Sequence, residues 1–366
     1  PGAPERRTAA RGRCCARRWH DADVPPATPT DGARAPVMTD VARRAGVSHQ
    51  TVSRVLNGHP SIRPETRERV QRAIDELGYR RNRAARALVT RRTLTVGVVA
   101  SSTSLFGPSS TLHGVERAAH AAGYATILST SDATDRDGVL ACVAQLSDRG
   151  VDGLLLTAPL HEVPDLREHL PADLPTVCAT GGPVTGLPSV HVDHRAGARA
   201  VTELLLRQGH REVRHVGGSP GWFEAVEREG GWRDALAAAG VAPARVLAGG
   251  WGAADGYVAG LALADDPATT AVVAANDQLA LGLLRALRER GVDVPGRVSV
   301  TGFDDAPESA YLSPPLTTVR QDLERVGREA VGLLLERLAG GVATAPEHRV
   351  VEPGLVVRAS TAAPPR

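Results

Sequence analysis

The sequence contains no lysine: all 43 of its Lys-plus-Arg positions are arginine. Arginine's rigid fork of donors suits phosphate oxygens and guanine edges. A GC-rich genome produces the same bias and is the plainer explanation. Long apolar runs are also missing. No stretch of 18 or more apolar residues occurs, so no transmembrane helix is expected and no membrane partner. The four cysteines, Cys14, Cys15, Cys142 and Cys178, form no C-x-x-C pair. That removes a zinc signature and a disulfide framework, and makes a cytoplasmic protein the default expectation. No G-x-G-x-x-G or P-loop follows a strand pattern, which disfavours a nucleotide enzyme. Paired carboxylates in an acid/base context, a nucleophile elbow and a metal cluster are all lacking. His113, His120, His161, His191, His194, His210 and His215 are scattered, form no H-x-x-x-H set, and read as solvated or structural. The expectation is therefore no catalytic residue, no metal and no cofactor.

What is present begins with size: 366 residues suit two or three domains, and 42% hydrophobic content supplies real cores. The formal net charge of +2 conceals an asymmetry. Residues 36–92 carry 13 arginines against 5 acids, and residues 1–35 carry 7 against 4, so the remainder is strongly acidic. A basic module joined to an acidic body suggests a polyanion partner for one end only. Residues 1–36 are rich in Pro, Ala, Arg and Thr with little apolar periodicity. They read as disordered or as a misassigned extension, with the natural start near Met38, the only methionine. A basic tail adding nonspecific DNA affinity is the alternative. No apolar core follows the early arginines, so a secretory signal is not expected.

Thr39 to Gly58, TDVARRAGVSHQTVSRVLNG, reads as two short helices around a tight turn. Val41, Ala42 and Ala45 give the first helix an apolar edge. Gly46 can adopt the positive φ that a sharp turn needs, and Ser48 can cap the second helix. Val52, Val55 and Leu56 then face inward at i, i+3, i+4 spacing. His49, Gln50, Thr51, Ser53 and Arg54 are left outside, as a major-groove reader requires. Pro64 to Leu77 is a third helix with proline in its first turn and Val70, Ile74 and Leu77 inward. Tyr79 to Arg92 is dense in arginine. Its core, from Asn82 to Leu88, is about two turns long, too short to be stable alone and so a candidate switch.

From Leu94 strands and helices alternate. TVGVVAS, ATILST, GLLLTA and TVCAT are strands of a first series, with helices near 112–122 and 138–147. A second series has helices at about 196–208, 225–239 and 279–290 with strands VRHVGG, AVVAAN and VSVTGF. This pattern argues two parallel sheets covered on both faces, with a cleft between two similar lobes. Ligands bind such sheets outside the carboxyl ends of their strands.

The headpiece segment, together with ETRERVQRAIDELGY, NRAARAL, VVASS, DGLLL, HVDHRAGARAV, VAAND, VTGFDD and LSPPLTTVRQD, resembles the LacI/GalR family of bacterial transcription regulators. The resemblance covers essentially residues 37–358. LFGPSST (105–111) and GGWGAADG (249–256) place it nearest the lactose-repressor branch. It implies an all-α helix-turn-helix headpiece (37–81), a hinge helix and linker (82–92), and an α/β periplasmic-binding-protein-like core (93–366). That core has two Rossmann-like lobes, about 93–191 with 321–350, and about 192–320 with 351–366. It also implies a homodimer on a pseudo-palindromic operator. A tetramer is not expected, because no leucine heptad precedes the end RASTAAPPR.

By that resemblance His49, Gln50 and Arg54 read bases. Gln50 can bond an adenine edge and Arg54 a guanine. A solvated helix face is the alternative. Thr39, Ser48, Thr51, Ser53 and Asn57 cap helices or touch phosphate. Asn82, Ala85 and Leu88 match the hinge. Leu88 is the expected minor-groove wedge, with packing on the core as its alternative. Two departures stand out: Arg81 replaces the usual proline before the hinge asparagine, and Arg63 replaces a serine that usually caps the third helix.

The same matching points to Arg228, Trp251, Asn276 and Asp304 as effector ligands, with Ser101, Phe106 and Trp222 beside them and Phe223 as a further lining residue. A guanidinium, an amide and a carboxylate can bridge hydroxyls, and an indole can cover the apolar face of a sugar ring. Helix capping is the alternative for Asn276 and the preferred reading for Asp277. Loop 101–110 is expected to close the other side. The aspartate that the lactose branch has after TVCAT is absent, with Ala179 and Thr180 there. The expected function is a repressor of carbohydrate-utilisation genes, released from its operator by a sugar inducer such as a galactoside. A purine or phosphorylated corepressor is the alternative of the same class. A sugar-transport binding protein is opposed by the headpiece.

Overall fold

A computed structural model describes residues 36–80, 92–101, 104–130, 136–157, 166–340 and 346–365. It divides into two units, residues 1–82 and 83–366.

The first unit holds α1 (Met38–Ala45), α2 (His49–Leu56) and α3 (Pro64–Leu77). Gly46 takes φ 65°, and its N–H reaches Ala42 and Arg43 carbonyls to end α1. Ser48 Oγ accepts the Thr51 N–H at 3.1 Å and starts α2. Asp40 supplies the other start, accepting the Val37 N–H at 3.0 Å. Thr39 therefore lies within α1 and is not its cap. Arg63 provides no side-chain cap for α3. Pro64 limits the damage, since it has no N–H to satisfy. Val41, Val52 and Val70 meet at zero exposure, with Ala42, Ala45, Val55, Ala73 and Tyr79 around them. Each fully buried valine is worth about 1.5–3 kcal/mol, enough to hold three short helices that would not persist alone.

The described residues of the second unit hold two parallel sheets and a two-stranded antiparallel one. Lobe one is a six-stranded parallel sheet built from β1 (Thr95–Ala100), β2 (Ala125–Thr130), β3 (Gly153–Leu156), β4 (Thr176–Ala179), β5 (Ser189–Val192) and β11 (His348–Val351). Their order is β11-β5-β4-β3-β1-β2. Helices α4 (Phe106–Ala121), α5 (Arg136–Asp148), α6 (Leu166–His169) and α11 (Leu323–Leu338) belong with it. β1, β3 and β4 are almost continuously buried, as a sheet covered on both faces requires. Lobe two is a four-stranded parallel sheet, order β7-β6-β8-β9, of β6 (Val213–Gly217), β7 (Leu247–Ala248), β8 (Ala271–Ala274) and β9 (Ser299–Thr301). Helices α7 (His194–Arg207), α8 (Phe223–Ala238), α9 (Ala253–Ala264) and α10 (Asp277–Glu289) pack on it. An antiparallel pair, β10 (Thr318–Arg320) and β12 (Gly354–Val356), lies at the crossovers. The chain passes between lobes three times, near residues 193, 321 and 352.

Two differences from the sequence reading have plain causes. Helix α4 starts at Phe106, six residues before the expected 112, so Phe106 to Ser110 is helix and not loop. Gly107 and Pro108 look like a turn, yet proline is tolerated in a first turn whose N–H groups have no partner anyway. Helices α9 and α11 were not anticipated. In α9, Gly256 and Gly260 face α10 so closely that a Cβ at 256 would strike the Leu279 backbone. Contact through small residues hides the usual apolar stripe.

Candidate functional site

The headpiece presents the amino end of α2. His49, Gln50 and Arg54 are exposed there, and none of the three side chains makes a hydrogen bond among the described residues. The turn beneath them is tied down. Ser48 Oγ and Thr51 Oγ1 lie 2.9 Å apart, and Asn57 Nδ2 is 3.5 Å from Ser53 Oγ. Three outward side chains on a capped, anchored helix have the geometry that base reading would need. Arg81, Asn82, Ala85 and Leu88 lie outside the described residues.

The second site is a cleft between the lobes. Its floor is made by strand ends. Ser101 follows β1, Thr157 follows β3, Asn276 follows β8 and Asp304 follows β9. Arg228 comes from the second turn of α8 and is only 5% exposed. Its Nη1 donates to Ala275 O at 2.5 Å and sits 3.6 Å from Asp304 Oδ1. Its Nε donates to His194 Nδ1 at 3.3 Å. The guanidinium also lies 4.0 Å from the Phe303 ring centre, an arrangement that attracts a cation. His194 must be neutral to accept that bond. Burial and then the Arg228 charge hold its pKa well below the ordinary value.

Asp304 adopts φ 124°, a region costing a non-glycine residue about 1–3 kcal/mol. Its N–H bonds Val319 O at 2.8 Å, and Gln321 Nε2 donates to its Oδ1 at 2.6 Å. These contacts hold the carboxylate at the cleft. Burial pushes its pKa up to about 7, against the opposing pull of Arg228. Asn276 Oδ1 accepts Leu279 N–H at 2.8 Å and its Nδ2 donates to Trp251 O at 3.1 Å. Asn276, not Asp277, is thus the cap of α10. Asp277 accepts from Ala306 N–H, Ser309 Oγ and Thr318 Oγ1 at 2.9, 2.5 and 2.6 Å and is a buried anchor beneath the site. Capping was assigned to the wrong neighbour because only the tertiary fold brings Ser309 and Thr318 over Asp277.

Trp222 and Trp251 form an apolar wall with ring centres 5.5 Å apart. Gly218 lies under Trp251, where any side chain would meet the indole. Phe106 lines the opposite wall. Phe223 does not line the cleft; its ring packs on Gly182. Three buried cleft atoms, Ser101 Oγ, Trp251 Nε1 and Gln321 Oε1, have no hydrogen-bond partner among the described residues. Buried polar atoms are costly in that condition, and here they mix donors and acceptors facing one cleft, as a polyhydroxyl ligand would use.

Comparison with known proteins finds matches in both units. The model for bacterial regulatory proteins of the lacI family matches residues 37–82, and that for the periplasmic binding protein-like domain matches 202–361. The chain is 39% identical to the HTH-type transcriptional regulator CelR of Thermobifida fusca, over 89% of this chain and 98% of that protein. It is 33% identical to the lactose operon repressor of Escherichia coli, over 89% and 91%. The chain belongs to the LacI family of bacterial regulatory proteins. Among solved structures, the lac repressor dimer bound to operator and the anti-inducer ONPF has a TM-score of 0.83 at 30% identity, covering 90% of this chain and all of that one. A CelR–cellobiose complex gives 0.66 at 36%, covering 89% and 99%.

This LacI-family chain is accordingly a DNA-binding transcriptional repressor and not an enzyme. The sequence reading omitted His194, Gln321, Thr157, Thr180 and Glu224 from the cleft. His194 and Gln321 sit at two of the chain crossovers, and no local pattern marks a crossover. The phrase HVDH did carry a usable signal: Asp193 caps α7 by accepting Ala196 N–H at 2.8 Å, which turns His194 inward.

Proposed function

We propose that this repressor binds a pseudo-palindromic operator as a homodimer and is released by a small saccharide, a galactoside or a similar sugar. The observation that carries the reading is the cleft. Arg228, Asp304 and Asn276, all from lobe two, converge there beside two indoles and face Ser101 and Thr157 at the strand ends of lobe one. Such a set can bond vicinal hydroxyls and cover a sugar's C–H face. The relatives support the same class, since one solved relative holds cellobiose and another, the lac repressor, holds ONPG.

In this reading residues 37–81 are the reader and 82–92 the hinge. Residues 93–366 are the effector and dimerisation domain, with lobe one at 93–191 and 321–350 and lobe two at 192–320 and 351–366. His49, Gln50 and Arg54 contact bases. Thr39, Ser48, Thr51, Ser53 and Asn57 contact the backbone, and Asn82, Ala85 and Leu88 act in the minor groove. The saccharide must bind the released state more tightly than the DNA-bound state, or it would shift nothing. Tight DNA binding falls steeply with salt, as phosphate contacts dictate. A relative named HTH-type transcriptional repressor PurR, from Vibrio atlanticus, is 35% identical over 82% of this chain, and a purine is the arm to compare.

The test is fluorescence anisotropy of the full chain on DNA from upstream of its own gene. Cellobiose, lactose, isopropyl thiogalactoside, hypoxanthine and guanine are titrated in turn. A saccharide that weakens binding at least tenfold supports the reading. Saccharides without effect, combined with a purine that tightens binding, overturn it.

A further inference from the structure

The lobe-one wall of the cleft carries no charged side chain among its described residues. Its polar groups are Ser101, Thr111, Thr157, Thr180 and Gln321. Thr180, just after β4, spends its hydroxyl proton on Gly182 O at 3.0 Å. The carboxylate that reaches this wall comes from the other lobe. Glu224, in the first turn of α8, lines the cleft and lies against Gly181. A methyl group built on Gly181 would sit 2.7 Å from a Glu224 carboxylate oxygen. Phe223 makes the companion contact on Gly182. Both glycines are buried and have ordinary φ, so what they provide here is space and not turn geometry. The Glu224 charge also acts on Arg228 and Asp304, raising the pKa of each, which places it in the same electrostatic cluster.

We propose that Glu224 sets the class of effector: its carboxylate, delivered from lobe two across the cleft onto Gly181, accepts hydroxyl hydrogen bonds from a neutral saccharide and turns away anionic ones. The inference rests on the saccharide reading above. A carboxylate can accept from two adjacent hydroxyls, and such bonds are stronger than neutral ones. With Asp304 ionised, the described lining of the cleft carries the carboxylates of Asp304 and Glu224 and the guanidinium of Arg228, with His194 neutral. A sugar acid or sugar phosphate would add a third negative charge to that balance.

Calorimetric titration of the full chain at pH 8 tests this, with cellobiose and lactose as neutral probes and cellobionate and lactobionate as anionic ones. Glu224→Gln is expected to weaken the neutral probes about ten- to a hundredfold. It is also expected to strengthen the anionic probes, so the neutral-to-anionic ratio contracts. Gly181→Ala, which displaces the carboxylate without removing it, should contract the ratio in the same direction. A general packing defect would weaken both classes alike and leave the ratio unchanged. A ratio unchanged within about twofold in both variants, with normal binding by the parent chain, overturns the role of Glu224 alone. A parent chain that binds none of the four probes overturns the saccharide reading, and this inference with it.

Discussion

Replacing Arg228 by leucine removes the only cationic side chain that faces Asp304 inside the cleft among the described residues. The two groups are 3.6 Å apart with side chains 6% and 7% exposed, so water screens them little. Removing one member of a buried pair costs about 3–5 kcal/mol, because the other charge is left uncompensated. Ala275 O and His194 Nδ1 lose their donors as well. Over a body of this size the loss lowers the melting temperature by about 10 °C. The cost should depend on pH. Asp304 has its folded pKa raised to about 7, above the ordinary aspartate range. Its contribution is therefore fully present below about pH 4 and is lost as pH rises through about 7, where the buried group ionises. At pH 8 Arg228→Leu must hold an unpaired carboxylate or a proton taken up against the solution pH. At pH 5 the group is already protonated in the parent chain. Removing Arg228 also eases protonation of His194 at low pH, which acts in the same direction. The variant's deficit should thus be larger at pH 8 than at pH 5. Differential scanning fluorimetry at both values checks this, together with the double variant Arg228→Leu/Asp304→Asn. The double variant should lose less than the sum of its parts. Additivity within about 0.5 kcal/mol, or a deficit equal at both pH values, would refute the pairing.

Asp277→Ala should destabilise the body by about 3–5 kcal/mol in urea unfolding, since three buried donors lose one acceptor together. Asp277→Asn should cost less. His215 is buried against Trp232 and bonded to Val273 O, with a pKa lowered to about 4. A depressed histidine loses native stability as pH falls from about 6.5 to 4, by about 3 kcal/mol in total. His215→Phe should flatten that slope in melting temperatures measured across the window, and an unchanged slope would exonerate His215. On DNA, Gln50→Ala should cost about 1–3 kcal/mol against a preferred base and relax discrimination at that position. Anisotropy with a series of single-base operator variants reads the effect, and a uniform loss across the series would assign Gln50 to the backbone.

Local chemistry made the headpiece legible. Gly46, Ser48, Pro64 and Gly78 punctuate it, and each acts through neighbours within a few residues. Strands β1 to β4, β6, β8 and β9 were legible too, as apolar runs bounded by turns, whereas β5, β7, β10, β11 and β12 were not anticipated. Helix α9 was hidden because close packing on α10 is made through glycine and alanine, which leave no large apolar stripe. The effector set was reached only through a family resemblance. Arg228 and Asp304 are far apart in the chain, and nothing local says that an arginine in EAVEREGGW is buried.

By itself the sequence determined the headpiece helices, the alternation of strands and helices in the body, the break between basic reader and acidic body, and the outward face of α2. These follow from periodicity, caps and charge, all of which act over a few residues. The tertiary structure alone decided which polar groups share the cleft. It brought Arg228 to Asp304 and His194, made Asn276 the cap and Asp277 the anchor, and carried Glu224 across to the wall that lacks a carboxylate. Burial is the physical reason. It turns ordinary surface residue types into paired, pKa-shifted groups, and it depends on chain crossings that no local pattern records.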